Sequence, residues 1–261
     1  MHPDLILETR NLVKAFKGFT AVDDVDLNVQ RGTIHALIGP NGAGKTTVFN
    51  LLTKFLTPTS GTILFNGRDI TREDSASIAR LGVVRSFQIS AVFPHLSVLE
   101  NVRVALQRKR GDSFVFWRSE KTLEVLNEQA LALLESVGLR DFANARAVDL
   151  SYGRKRSLEI ATTLALDPEL LLLDEPTQGM GYEDVSVVAE LIKEVSKNRT
   201  ILMVEHNLNV VADLSDRITV LQRGAILTEG DYATVAADTR VREAYMGSES
   251  PAEPALQEVA Q

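Results

Sequence analysis

The sequence predicts an α/β fold centred on a mostly parallel sheet with helices packed on it, and three observations carry that expectation. Two short apolar runs, Leu170 to Leu173 and Thr200 to Val204, read as strands buried on both faces. Helical patterns accompany them, one running from Ser151 to Leu166 and one lying around Val185 to Lys197. Finally, the run His35 to Ile38 passes through a glycine-rich segment, Gly39 to Gly44, into a helical pattern over Thr46 to Lys54.

Taken in order, the apolar residues between Leu5 and Leu37 tend to alternate (Leu5, Leu7; Val25, Leu27, Val29), which predicts two or three strands joined by polar turns such as Lys17-Gly18. Strand pattern returns at Gly61 to Asn66, with Asn66-Gly67 as its turn signal. From about Ser97 to Asp149 the character changes. Leu123, Leu126, Ala130, Leu133, Leu134 and Val137 recur at helical spacing, and Gly138 stands where a C-terminal cap belongs. That stretch reads as a helical subdomain. The last residues, Ser248 to Gln261, contain three glutamates, two prolines and no Lys or Arg, and read as a disordered acidic tail.

A chain of 261 residues with 44% hydrophobic and 24% charged residues can bury a sizeable core, which excludes disorder throughout. Twenty-eight Lys and Arg against 35 Asp and Glu leave a formal charge of −7, so the chain as a whole lacks the basic surplus of a nucleic-acid binder. The absence of cysteine excludes disulfides, Cys-ligated zinc and iron–sulfur clusters, and fits a reducing compartment. Met1 to Thr9 lacks the charged start and apolar stretch of a secretory signal, and no apolar run approaches the ~20 residues of a membrane span. A role at a membrane is therefore expected to come through a partner.

The segment Gly39-Pro40-Asn41-Gly42-Ala43-Gly44-Lys45-Thr46-Thr47 fits the phosphate-loop pattern G-x-x-x-x-G-K-[ST]. Its glycines let successive backbone N–H groups turn inward around a polyphosphate. Lys45 adds a point charge for the β and γ phosphates, Thr46 offers its hydroxyl to Mg²⁺, and the helix that starts here turns its positive dipole end to the anion. Further along, the Leu170 to Leu173 strand delivers Asp174 and Glu175 at its end, where a parallel sheet opens its ligand crevice. In that position Asp174 can orient Mg²⁺ and its water, while Glu175 can take a proton from the water attacking the γ-phosphate. No guanine-reading Asn-Lys-x-Asp segment occurs anywhere in the chain, which points to ATP.

With these residues in this order, the chain resembles an ATP-binding-cassette nucleotide-binding domain over nearly all of Leu5 to Gly247. The resemblance implies a P-loop NTPase core with an N-terminal antiparallel β subdomain and an inserted α-helical subdomain. The cassette would span residues 1–247, with its core at 1–96 and 150–247 and the helical subdomain at about 97–149. It also assigns roles. Phe16 resembles the aromatic residue that stacks on adenine, with Phe19 as its rival. Gln88 in Ser86-Phe87-Gln88 resembles the glutamine that contacts Mg²⁺ and senses the transmembrane partner, and His206 resembles the switch histidine at the γ-phosphate. Leu150-Ser151-Tyr152-Gly153-Arg154 resembles the family signature, usually Leu-Ser-Gly-Gly-Gln, in which Ser151 and Gly153 keep the two small positions. The loop after Glu175 departs from the family by ending on Gly181, where an Asp is usual.

Three further segments resemble importers of branched-chain amino acids and related amides: the tyrosine in the signature, Ser86 to Gln88 followed by Phe93 to Asn101, and the ending Arg242 to Gly247. The insertion Gln107 to Arg118, with Arg108, Lys109 and Arg110 ahead of Phe114, Phe116 and Trp117, reads equally as a solvated helix end or as a basic, aromatic segment at a membrane face. The family resemblance implies an ATPase that acts as a two-cassette dimer. Ser151 and Gly153 of one chain would close over nucleotide held by Lys45 and Thr46 of the other. The implied partners are transmembrane permease subunits, a second cassette subunit, identical or homologous, and indirectly a solute-binding protein, with no nucleic acid. The implied place is the cytoplasmic face of the cell membrane. The rival expectations are a soluble or regulatory cassette ATPase and the ATPase of a lipid or lipopolysaccharide exporter.

Overall fold

The computed structural model describes residues 4–86, 92–110 and 125–246. Its N-terminal strands form an antiparallel sheet with β1 (Leu5–Phe16) as the spine. β2 (Phe19–Val25), β3 (Asn28–Gln30) and β5 (Ser60–Phe65) all pair with β1, and β6 (Arg68–Asp69) extends from β5. The Lys17-Gly18 turn closes β1 onto β2 with Phe16 opposite Phe19, and Gly18 takes the positive φ of 79° that the turn needs.

The second sheet is the α/β centre. In spatial order it runs β11 (Ala225–Gly230), β10 (Arg217–Gln222), β4 (Ile34–Ile38), β9 (Thr200–Val204), β8 (Leu170–Asp174) and β7 (Val83–Ser86). From β10 to β7 every pairing is parallel, and β11 folds back antiparallel on the β10 edge. The four leucines of β8 are at most 1% exposed and alternate between the two sides of the sheet. Leu171 and Leu173 enter the core beneath α5 (Tyr152–Leu164) and α6 (Tyr182–Ser196), whereas Leu170 and Leu172 enter the core shared with α1 (Lys45–Leu52) and the antiparallel strands. Coverage on both sides is what requires an unbroken apolar run in place of an alternating one. Fully burying each leucine is worth roughly 1.5–3 kcal/mol.

α2 (Ser75–Leu81) leads into β7, and α3 (Val98–Arg110) and α4 (Asn127–Ser136) pack together and against α5. Of the helical spacing read around Leu123, the residues from Leu126 onward are described. Ala130 and Leu134 are fully buried, and Gly138 follows the helix end at φ 69°, as an αL stop requires. Two cap residues fix α7 (Leu208–Leu214) and α8 (Tyr232–Ala237): Asn207 accepts from the N–H groups of Asn209 and Val210, and Asp231 from Thr234. α9 (Thr239–Met246) packs beside α8. The sequence pattern did not announce β7, α2, or the β10–β11 hairpin and the helices after it. β7 is only four residues long, and β11 is half-buried at every position, so neither has a readable period. Among the described residues no helix is long and apolar enough to cross a membrane.

His35 sits in the middle of β4 with 0% exposure. Thr219 Oγ1 donates to Glu229, so it accepts from His35 Nε2 at 2.8 Å and fixes the neutral ring with its hydrogen there. The imidazole is lowered to about 4, chiefly by burial, with the Glu229 carboxylate opposing and the Arg217 guanidinium assisting. A folded value below the unfolded 6.5 means that the neutral ring stabilises the fold above pH 6.5, and that this contribution is lost as the pH falls toward 4. We predict a loss on the order of 3 kcal/mol across that window, read from urea midpoints, and a flatter acid limb in His35→Gln.

Candidate nucleotide site

Gly39 to Gly44 leaves β4 and wraps into α1 along a path that only glycine tolerates at two places. At Gly39 (φ 147°) a Cβ would stand 2.1 Å from the Leu221 carbonyl oxygen, and at Gly44 (φ 106°) 2.5 Å from that of Ala21. The neighbouring strands therefore press the loop into its curve. Lys45, 6% exposed, folds its ammonium back into the loop and donates to the carbonyls of Gly39 at 2.6 Å and Pro40 at 3.0 Å. Burial lowers its pKa, opposed by the carboxylates of Glu175 and Asp174. An ammonium held among carbonyls with two carboxylates nearby is a cation set for an anionic ligand. Pro40, Asn41 and Gly42 line the outer rim, Ala43 is buried beneath the loop, and Thr46 and Thr47 open α1 with Thr46 exposed.

Asp174 ends β8, and its carboxylate takes a charge-assisted bond from Arg85, whose other nitrogen donates to Asn50 Oδ1 of α1 at 2.7 Å. From the other side the buried Arg156 of α5 donates to the Asp174 carbonyl at 3.2 Å and to Ser86 at 3.4 Å, while pairing with Glu159 at 2.7 Å. Two arginines that the motif reading passed over thus fix the strand end. Arg85 had no signal beyond a cation in a short strand, and Arg156 looked like one of three basic residues on a helix.

Glu175 takes a positive φ of 47°, and its N–H is tied to the Val204 carbonyl at 2.8 Å. That strained turn brings its Oε1 to 2.6 Å from His206 Nε2. A carboxylate oxygen can only accept, so Nε2 carries the hydrogen. His206 lies two residues beyond β9, and the buried Glu205 between them organises the junction. Its Oε1 accepts from the N–H groups of His206 (2.9 Å) and Asn207 (3.0 Å), and its Oε2 from Thr177 N–H at 3.3 Å. The sequence pattern gives Glu205 no signal beyond its place after the Thr200 to Val204 strand.

Phe16 is 45% exposed and Phe19 62%, so neither is a core residue. The Lys14 ammonium lies 5.2 Å from the Phe16 ring centroid. Ser151 caps α5 and is exposed, accepting from Arg154 N–H at 3.5 Å. Gly153 is buried against α6, where a Cβ would meet Asp184 Oδ1 at 2.5 Å, so a larger residue there would have to turn the Asp184 side chain aside. Arg154 stacks its guanidinium 4.1 Å from the Phe142 ring centroid. Gln88 lies outside the described residues, as do most of the Gln107 to Arg118 insertion and the tail from Ser248.

The geometry gathers the phosphate loop, Asp174, Glu175 and His206 at one edge of the parallel sheet, and the ABC transporter family matches residues 22–178. The chain belongs to the ABC transporter family. This cassette is 40% identical to the high-affinity branched-chain amino acid transport ATP-binding protein LivG of Escherichia coli K12 over 250 residues, 93% of this chain and 98% of that one. Among solved structures it is similar to MJ1267, an ATP-binding cassette of an ABC transporter in its ADP conformation, with TM-score 0.81, 31% identity, and coverage of 93% and 99%. It is also similar to the dimeric MJ0796 cassette in a post-hydrolysis state bound to ADP and Pi, with TM-score 0.71, 26% identity, and coverage of 86% and 98%. The fold is thus that of an ABC ATPase cassette, and such cassettes bind nucleotide.

For Mg²⁺, the exposed Thr46 hydroxyl and the Asp174 carboxylate are the hard oxygen donors a small divalent cation takes. Among the described residues no group of three acidic, His or Cys side chains could cage a metal, so phosphate oxygens and water would supply much of the coordination shell.

We predict that Gly39→Ala costs more than about 2 kcal/mol and abolishes nucleotide binding, because carbonyl oxygen occupies the place of the methyl. Gly42→Ala, whose Cβ would meet nothing within 4 Å, should cost only about 1–2 kcal/mol of left-handed strain. Urea melts and titration with a fluorescent ATP analogue check both.

Proposed function

We propose that this cassette is the ATP-hydrolysing subunit of an importer for branched-chain amino acids or related amino acids and amides, working on the cytoplasmic face of the membrane through permease subunits. The observation that carries the reading is the Glu175–His206 pair at 2.6 Å, set beside a loop whose lysine is already folded inward. Lys45 and the Gly39 to Thr47 backbone hold the β and γ phosphates. Phe16 offers a face to adenine, and Thr46, Asp174 and Gln88 hold Mg²⁺, which neutralises charge on the transferring phosphoryl group when bound. Glu175 accepts the proton of the attacking water, and His206 orients Glu175 and approaches the γ-phosphate. The identity to LivG across 93% of this chain supports the solute class.

In this reading Ser151 and Gly153 complete the nucleotide site of a second cassette, identical or homologous. The exposure of Ser151 at the start of α5 supports it. Permease docking fits an open groove of about 390 Å³ whose lining includes Phe55, Ile78, Val84, Arg85, Glu159 and Leu166. Because Arg85 also holds Asp174, a helix seated there would lie one side chain from the proposed metal ligand.

We predict that Glu175→Gln lowers ATP turnover at least ~100-fold while an ATP-bound dimer accumulates, and that wild-type turnover per chain rises with protein concentration. Steady-state ATPase assays with native mass measurement check this; a variant that turns over at the wild-type rate would remove Glu175 from the base role. In cells, loss of this subunit should abolish uptake of labelled leucine, isoleucine and valine. Unchanged uptake of all three would move the solute elsewhere.

A further inference from the structure

The signature position at which this chain departs furthest from the family's small residues is Tyr152, and its side chain makes a contact that a glycine could not. The Tyr152 hydroxyl donates to the Gln178 carbonyl at 3.1 Å, and Gln178 N–H in turn donates to the Glu175 carbonyl at 3.2 Å. Two hydrogen bonds therefore connect the first residue of α5 to the backbone of the proposed base. The same loop is pinned from its other side, where Thr177 N–H is held by the buried Glu205, which also holds the N–H groups of His206 and Asn207. His206 Nε2 closes the circuit on Glu175 Oε1. Glu175 itself is strained at φ 47°, a conformation that persists only while its surroundings over-determine it.

The loop also lacks another handle. Gly181, where the family usually ends this loop with Asp, carries no side chain, and a Cβ there would meet nothing within 4 Å. Gly179, at φ 75°, lies directly under the phenol, with the hydroxyl oxygen 3.7 Å from where its Cβ would stand. The phenol is thus seated against the backbone of Gln178 and Gly179.

We infer that Tyr152 is a positioning residue that ties the start of α5 to the Glu175–His206 pair, so that nucleotide closing on Ser151 and Gly153 at one site sets the base geometry of the other. This rests on the two-cassette reading above. A movement of α5 carried through the Tyr152 bond reaches the Gln178 carbonyl, and through the Gln178 N–H the carbonyl of the strained Glu175. A coupling of this kind is a free energy shared between two sites and is read as steepness in ATP dependence.

The test is ATPase rate against ATP concentration for the full chain and Tyr152→Phe, with dimer mass followed in Glu175→Gln and in Glu175→Gln combined with Tyr152→Phe. The expected result is that Tyr152→Phe keeps its melting temperature and its trapped ATP dimer. Its Hill coefficient should fall from about two toward one and its kcat about fivefold, with half-saturating ATP moved less than about twofold. A merely structural role for the ring would leave Phe equivalent to Tyr, so unchanged steepness and kcat overturn the inference. So does a wild type without steepness, and so does a Tyr152→Phe chain that fails to fold, which makes the hydroxyl structural. If Glu175→Gln traps no dimer in ATP, the two-cassette reading fails first, and that outcome is distinguishable from a dimer that forms but is indifferent to Tyr152.

Discussion

The parallel register of three strands is the constraint from which the rest of the site follows. Leu37 of β4 pairs with Val204 of β9, and Val204 pairs with Asp174 of β8, so the three strands finish in one row. Whatever follows that row is delivered to the same edge: the phosphate loop after β4, Glu175 after β8, and Glu205 with His206 after β9. The parallel ladder holds that row with the sheet covered on both faces, which explains why its central strands are mostly apolar and why two cores are needed.

Fixing the row leaves the orientation of each side chain to be settled by polar contacts, and here buried charges dominate. Arg85 and Arg156 approach Asp174 from opposite sides, one on the carboxylate and one on the carbonyl. Arg156 and Glu159 are both under 5% exposed, so removing either alone would leave an uncompensated buried charge, a change that typically costs about 3–5 kcal/mol. Burial pushes the Glu159 carboxyl up and Arg156 opposes that. Among the described residues Glu159 Oε1 has no hydrogen-bond partner, and it stands in the wall of the groove proposed for the permease. Arg85 stands both in the groove and on the Asp174 carboxylate, and Glu159 of the groove wall pairs with Arg156, which holds the Asp174 carbonyl; this gives a physical route between the two places.

Glycine plays two different parts at the candidate site. At Gly39 and Gly44 it answers to carbonyl oxygens of neighbouring strands, so the curve of the phosphate loop is imposed from below whether or not a phosphate is present. At Gly153 it answers to Asp184 of α6, which packs the signature helix onto the helix that follows the Glu175 loop. The first is a demand of fixed backbone and the second a contact with a side chain that can turn, and a motif expresses both as a bare letter.

The sequence by itself determined the elements whose signal is local. Four successive leucines define β8 wherever it lies, the glycines and Lys45 mark a phosphate loop because only that spacing lets backbone amides converge, and Gly138 marks a helix end because it alone stops without strain. The family likewise followed from motif order. Tertiary structure decided what depends on residues far apart in the chain. Arg85 meets Asp174 across 89 positions, His206 meets Glu175 across 31, and Tyr152 reaches Gln178 across 26. The bonds of Glu205 and the contact of Gly153 with Asp184 likewise leave no periodic trace. A side chain's partner is set by which strand ends share an edge and which helices cover them, and that arrangement exists only once the two cores have closed.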